Sequence, residues 1–361
     1  MSEVRAIEFA EYGVTNVHSV AIGFMTAMTA MTLAPKRSAA TFAILSVCIF
    51  MPMDQRLVLA GIDLSMLRLI LMVAAVRVII RREYVGFSHG GLDRLVFFWV
   101  VSTSVIYLLR VGPSGLVTSL GYSFDVLASY FLMRVLVRSR VDVLTVWKQL
   151  AWIAVVLSPF VLYESVTRHN VFGMFSYEGF EIAAVRNGKV RAKGPLSHPI
   201  LTGTFGAVVI PVFIGIWAGQ KKGRILMGTA CVAATIITFS TGSSGPLMSW
   251  GVGFFGWMIW GLRRRMRMIL WGLLGLAVVI HFVREKPVWH LILRLSSITG
   301  GTGYHRYNLI DAFIKRFGEW VLIGTDNTAH WGWGLQDTTN QYVAQGVNGG
   351  LVTLVLFVLM L

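Results

Sequence analysis

Apolar residues recur along this chain in windows of roughly 15 to 22 residues, each closed by charge or by Gly and Pro, and that is the length a helix needs to cross a hydrocarbon core. The windows fall near 15–34, 39–53, 62–80, 94–110, 119–137, 143–163, 199–217, 225–240, 246–262, 268–283 and 341–361. They predict an all-α, polytopic transmembrane helical bundle of about eleven spans. Residues 164–198 and 284–340 hold no such window and are expected to form two long loops. Within the second loop, HRYNLIDAFIKRFGEW sets Ile310, Phe313, Ile314 and Phe317 at helical spacing, with Arg306, Asp311, Lys315 and Arg316 mostly elsewhere. An amphipathic helix lying along the membrane interface is expected there.

Composition agrees with the pattern: 55% of the 361 residues are hydrophobic and 14% are charged, a balance rarely met in a water-soluble domain. No repeat, low-complexity tract or linker divides the chain, so one integral membrane domain over 1–361 is expected. The segment MSEVRAIEFAEYG is mixed in charge and no cleavage site follows, so the first span is expected to be retained. The final run, GGLVTLVLFVLML, stops at Leu361 without a charged flank, as in a chain cut from something longer. Cys48 and Cys231 lie inside apolar runs and suggest neither a disulfide framework nor a metal site.

Charge orients the bundle. Lys36 and Arg37, then Arg81, Arg82 and Arg94, then Arg138 and Arg140, then Lys221, Lys222 and Arg224, and finally Arg263, Arg264, Arg265 and Arg267 fall on alternate connections, which predicts those as cytoplasmic. The opposite short connections hold only Arg56 and Arg110. The two long loops break the bias on the outer side, with Arg168, Arg186, Lys189, Arg191 and Lys193 in the first and Arg284, Lys286, Arg294, Arg306, Lys315 and Arg316 in the second.

Arginine forms planar, bidentate hydrogen bonds to phosphate oxygens, so outward arginines beside a membrane suggest an anionic ligand such as a lipid-linked diphosphate. Contact with lipid headgroups is the plainer reading and serves for Lys189, Lys193, Lys315 and Arg316. Arg191 stands apart, because Gly194, Pro195, His198 and Pro199 follow it and shape a tight turn into the next span. Arg306 follows the Gly-rich SSITGGTGY and would stand at a helix N-terminus, where free N–H groups also favour anions. TFSTGSSGPLMSW is a short outer turn whose Ser240, Thr241, Ser243 and Ser244 offer hydroxyls and amides; with no Ser/His/Asp spacing, a serine nucleophile is not indicated. Inside the spans, Arg68, Arg77 and Arg134 lie within snorkelling reach of an interface, His18 reads as a satisfied histidine, and Asp125 reads as a hydrogen bond between helices before it reads as catalytic. There is no Walker loop, H-E-x-x-H or CxxC motif, so no metal, nucleotide or other cofactor and no nucleic-acid partner is expected.

The ordered set RAKGPLSHPI, TFSTGSSGP, GYHRYNLIDAFIKRFGEWVLIG and WGWGLQDTTNQYVAQGVNGGL resembles the O-antigen ligase and polymerase superfamily over roughly residues 40–361, closest to its exopolysaccharide-polymerisation branch. The resemblance implies a metal-independent glycosyltransferase in the bacterial inner membrane. Its substrate would be a glycan on undecaprenyl diphosphate at the periplasmic face, and its acceptor a glycan or a lipid. It implies that Arg191 and Arg306 lie near the departing diphosphate, with His198, Ser243, Ser244, Asn340 and Tyr342 contacting substrate. In ligases a histidine commonly begins an H-N-x-Y-like motif; the matching stretch here is Asp337-Thr338-Thr339-Asn340-Gln341-Tyr342, in which Thr339 stands where the histidine is expected and Asp337 is the nearest substitute as base. A non-catalytic exporter or flippase of the same glycans would also want outward arginines, although it should need more charge deep in the bundle than Asp125. A divergent member that binds the lipid without turnover is the third reading.

Overall fold

A computed structural model describes residues 15–59, 61–175, 182–186, 188–283, 288–291, 293 and 303–361. Helix makes up 75% of it, with almost no sheet. In chain order the elements are α1 (Ser19–Leu33), α2 (Arg37–Phe50), β1 (Arg56–Leu59), β2 (Ile62–Ser65), α3 (Met66–Ile80), α4 (Gly91–Val111), α5 (Leu116–Leu136) and α6 (Arg140–Thr167). Then come β3 (Val185–Arg186), β4 (Lys189–Val190), α7 (Pro199–Gly219), α8 (Arg224–Ser240), α9 (Ser244–Met258), α10 (Met266–Val283), α11 (Gly303–Lys315), α12 (Phe317–Trp320) and α13 (Gln341–Met360).

Among the described residues, six helical stretches are long and apolar enough to cross a membrane: Gly91–Val111, Pro113–Leu136, Arg140–Thr167, Pro199–Gly219, Ser244–Val283 and Gln341–Met360. The chain is therefore a predominantly helical protein of membrane type, and six such stretches among the described residues do not confirm the eleven spans that the windows suggested. Four windows became the helices α1, α2, α3 and α8, of 15, 14, 15 and 17 residues. At about 1.5 Å per residue these fall short of a core about 30 Å thick. Two others lie in the single 40-residue stretch Ser244–Val283. The window at 62–80 lost its first four residues to an antiparallel hairpin, in which Arg56 pairs across to Ser65 and its guanidinium meets Asp63 at 3.1 Å.

The chain divides into two compact units, Met1–Val85 with Tyr130–Trp260, and Gly86–Ser129 with Gly261–Leu361. In the first, α6, α7 and α8 bury Leu157, Val161, Phe213, Met227 and Ile237 in one cluster. Lipid supplies no hydrophobic force between helices, so close approach of backbones must hold such a bundle together. Gly206 provides it: a Cβ there would stand 2.6 Å from the Ala234 carbonyl oxygen and 2.6 Å from the Thr238 hydroxyl. Gly206→Ala is expected to cost about 1–3 kcal/mol through overpacking, read as a lower unfolding midpoint in detergent. Gly215→Ala on the same helix, with open space around its Cβ, should stay within about 0.5 kcal/mol. Equal midpoints for the two would refute the packing role.

Arg77 corrects an expectation. It does not snorkel but is buried at 1% exposure, where it donates to the carbonyls of Thr32, Ala34 and Pro35 and to both oxygens of Glu83. Thr32 is in the last turn of α1 and Ala34 and Pro35 follow it, so the guanidinium meets carbonyls at and just past a helix C-terminus while Glu83 balances its charge.

In the second unit α11 gathers Leu309, Ile310 and Phe313 against Trp320, Trp331, Leu335, Val343 and Val347. The helix expected over 305–320 stops at Lys315 and resumes for one turn as α12, which lets the Trp320 ring stack on Phe313 with centroids 3.9 Å apart. Ile314 and Phe317, expected on the same apolar face, are exposed.

Candidate functional site

In the first unit the site is built from the loop that ends at α7. Glu164, in the last turn of α6 and 1% exposed, accepts the N–H of Lys193 at 3.0 Å and that of Gly194 at 2.8 Å, one on each carboxylate oxygen. Asn170 donates from Nδ2 to the Gly194 carbonyl at 2.8 Å, and the Thr202 hydroxyl donates to that of Lys193. His198 caps α7, its Nδ1 accepting the N–H of Ile200 at 3.1 Å, and Pro199 takes the first helical position, where no N–H is needed. The turn that the sequence suggested is thus held at both ends, and one ring nitrogen of His198 is committed to the cap.

Just upstream, β3 and β4 pair Val185 with Val190 and Arg186 with Lys189. The backbone of Arg191 donates to Ala184 O at 2.9 Å and that of Ala192 to Ser240 O at 3.3 Å, which ties the hairpin to the end of α8. Gly242 makes the approach possible, with φ +55° and a position where a Cβ would stand 2.7 Å from the Val190 carbonyl oxygen. The half-buried Arg191 then donates from Nη2 to Ser243 Oγ at 3.2 Å, and that hydroxyl donates to Thr241 O at 3.1 Å.

Two motifs 52 residues apart therefore meet at the start of α9. The Ser243 side chain does not cap this helix, and Pro246 has no N–H to offer. The N–H groups of Ser244 and Gly245 have no partner among the described residues, and neither does Arg191 have an acidic one. Burial lowers the pKa of Arg191 from its ordinary value, and the charge of Arg186 lowers it further. The Arg191 guanidinium thus sits on Ser243 at the N-terminus of α9, whose first two amides are open and which carries the positive end of the helix dipole, a combination suited to a phosphate or another oxyanion.

In the second unit Arg306 occupies the first turn of α11, half-buried and without a partner among the described residues. Its neighbour His305 sets Nε2 3.0 Å from the backbone carbonyl of Asp337. The Asp337 carboxylate is exposed and has no partner among the described residues. Asn340 caps α13, accepting the N–H of Tyr342 at 2.9 Å, and the Tyr342 ring lies edge-on to Phe357 at 5.8 Å. Both therefore have structural duties. The imidazole of His330, with the Trp331 indole and Arg316, holds the exposed Glu319 carboxyl down to about 2 and pins the loop between α12 and α13. No protein-family model, no curated protein and no solved structure matches this chain.

Sequence reasoning missed Arg110, which entered only as one charge in the orientation. Its side chain is 9% exposed, and the reason is the Asn348-Gly349-Gly350 sequence in α13. Gly350 at φ +67° breaks the helix, so the N–H of Leu351 turns to Val321 O at 2.9 Å. Val347 O, released from the helix, accepts instead the N–H of Thr325 at 2.8 Å and Nη1 of Arg110 at 3.0 Å. Nε of Arg110 lies 3.3 Å from Asp326, outside hydrogen-bonding geometry. The adjacent glycines were the available signal.

Proposed function

We propose that this chain is a membrane glycosyltransferase that polymerises or transfers oligosaccharide carried on undecaprenyl diphosphate, working at the outer face of a bacterial inner membrane in exopolysaccharide or O-antigen synthesis. The observation that carries the reading is the Arg191 guanidinium on Ser243 beside the open amides of α9. In the reaction an acceptor hydroxyl oxygen bonds to the anomeric carbon of the donor, and the bond from that carbon to the diphosphate oxygen breaks with its electron pair. Arg191 neutralises the negative charge that develops on the leaving group. The hydroxyl proton passes to a base, a role the resemblance leaves to Asp337, and the resemblance gives Arg306 a part like that of Arg191. The diphosphate is already activated, so the step needs no nucleotide.

The full chain reconstituted in vesicles with a lipid-linked oligosaccharide is expected to yield longer glycans and free lipid diphosphate, with an unchanged rate in excess EDTA and without nucleotide. Loss of all turnover in EDTA, restored by a divalent ion, would overturn the chemistry. Transbilayer movement of the carrier without any change in glycan length would establish a flippase instead.

A further inference from the structure

Within the second unit, α4, α5 and α13 enclose a cavity of about 280 Å³ whose lining includes Tyr107, Arg110, Ser119, Tyr122, Gln345 and Asn348. We propose that this cavity binds a sugar ring. The identification of that sugar as part of a lipid-linked glycan rests on the function proposed above, whereas the capacity to hold a sugar does not.

The argument begins with hydrogen-bonding groups that the fold leaves unmet. Gln345 is 6% exposed, and its Oε1 accepts the indole N–H of Trp99 at 2.9 Å. An indole nitrogen only donates, so the amide orientation is settled and its NH₂ remains, without a partner among the described residues. Ser119 is 5% exposed, and its hydroxyl has no partner among them either, although its carbonyl accepts from Ser123. Nη2 of Arg110 and the side-chain amide of Asn348 are likewise unpartnered among the described residues. Gln345 and Ser119 are buried residues whose polar groups native proteins rarely leave unmet, and with the Arg110 Nη2 and the exposed Asn348 amide at the same opening they point to a ligand that meets them.

Chemistry narrows the class. A hydrocarbon chain would strand the buried donors. A free anion is poorly matched, because Asp326 already stands beside the guanidinium. What fits is a neutral, hydroxyl-rich group that gives and takes hydrogen bonds on its rim and offers a C–H face to the rings of Tyr107 and Tyr122. That describes a pyranose.

The test is saturation-transfer NMR on the full chain in detergent, using methyl glycosides of a hexose, an N-acetylhexosamine and a hexuronic acid, with inorganic pyrophosphate as the anionic probe. At least one glycoside is expected to bind, with its ring protons saturated. Asn348→Leu and Gln345→Met should each weaken that binding tenfold or more, and Arg191→Ala should leave it unchanged. Asn348 is exposed and makes no side-chain hydrogen bond among the described residues, so its replacement leaves the fold intact. Binding by none of the glycosides, equal binding by the Asn348→Leu protein, or binding of pyrophosphate alone would overturn the proposal. Because the readout is binding and not transfer, a sugar that binds to a chain without transferase activity would refute the proposed function and leave this inference standing.

Discussion

Arg191→Ala is expected to lower the turnover of lipid-linked substrate by about 10²–10³-fold, the loss typical of removing one donor to developing oxyanion charge in a dry site. The fold should survive, because the Ser243 hydroxyl keeps its bond to Thr241 O and the hairpin keeps its backbone bonds to Ala184 and Ser240. Arg191→Lys should recover only part of the rate. The ammonium is a point charge and cannot present two parallel N–H groups to a phosphate while a third donor holds Ser243. Lys189→Ala, in β4 two residues before Arg191 and with an exposed side chain, should change the rate by less than about threefold, as befits headgroup attraction of about 1 kcal/mol near a membrane surface. Initial rates with the reconstituted variants decide the matter, and an Arg191→Ala protein as fast as the parent would remove the anion site from the mechanism.

What the sequence made legible were features carried by local pattern. The window at 119–137 became Leu116–Leu136 and that at 199–217 became Pro199–Gly219, because long apolar runs ended by Pro, Gly or charge define helices without help from distant residues. RAKGPLSHPI was legible as a turn for the same reason. Arg191 and the TGSSGP turn were each singled out, but their meeting was not, since it depends on Gly242 admitting the Val190 carbonyl across the chain. Arg77 was misread because its acceptors lie 42 to 45 residues away in sequence. Arg110 and Gln345 were passed over because the carbonyl and the indole that hold them come from segments 237 and 246 residues distant. Periodicity reports which face of a helix is apolar, and it carries no information about which buried polar atom finds which partner.

The other large effect belongs to Glu164, which acts through the loop that carries Arg191. Its two oxygens hold the N–H groups of Lys193 and Gly194, two and three residues beyond Arg191. Removing the carboxylate strands both amides, at about 1–3 kcal/mol each where they are buried. Glu164→Ala is therefore expected to destabilise the first unit by about 2–6 kcal/mol. Glu164→Gln should lie between it and the parent, since one amide oxygen can still accept while the NH₂ faces a second N–H. Activity should fall further than stability alone explains: a loop loosened by an ångström carries Arg191 with it, and a misplacement of that size costs about 10²-fold in rate. The decisive comparison is between Glu164→Gln and Gly206→Ala at a temperature where both are fully folded. Gly206 lies in the packing of α7 on α8, where the atoms nearest an added Cβ belong to Ala234 and Thr238, so its variant should turn over at close to the parental rate, while the Glu164→Gln protein should be slowed with KM little changed. Equal rates for the two would show that Glu164 supports the fold alone and does not position Arg191.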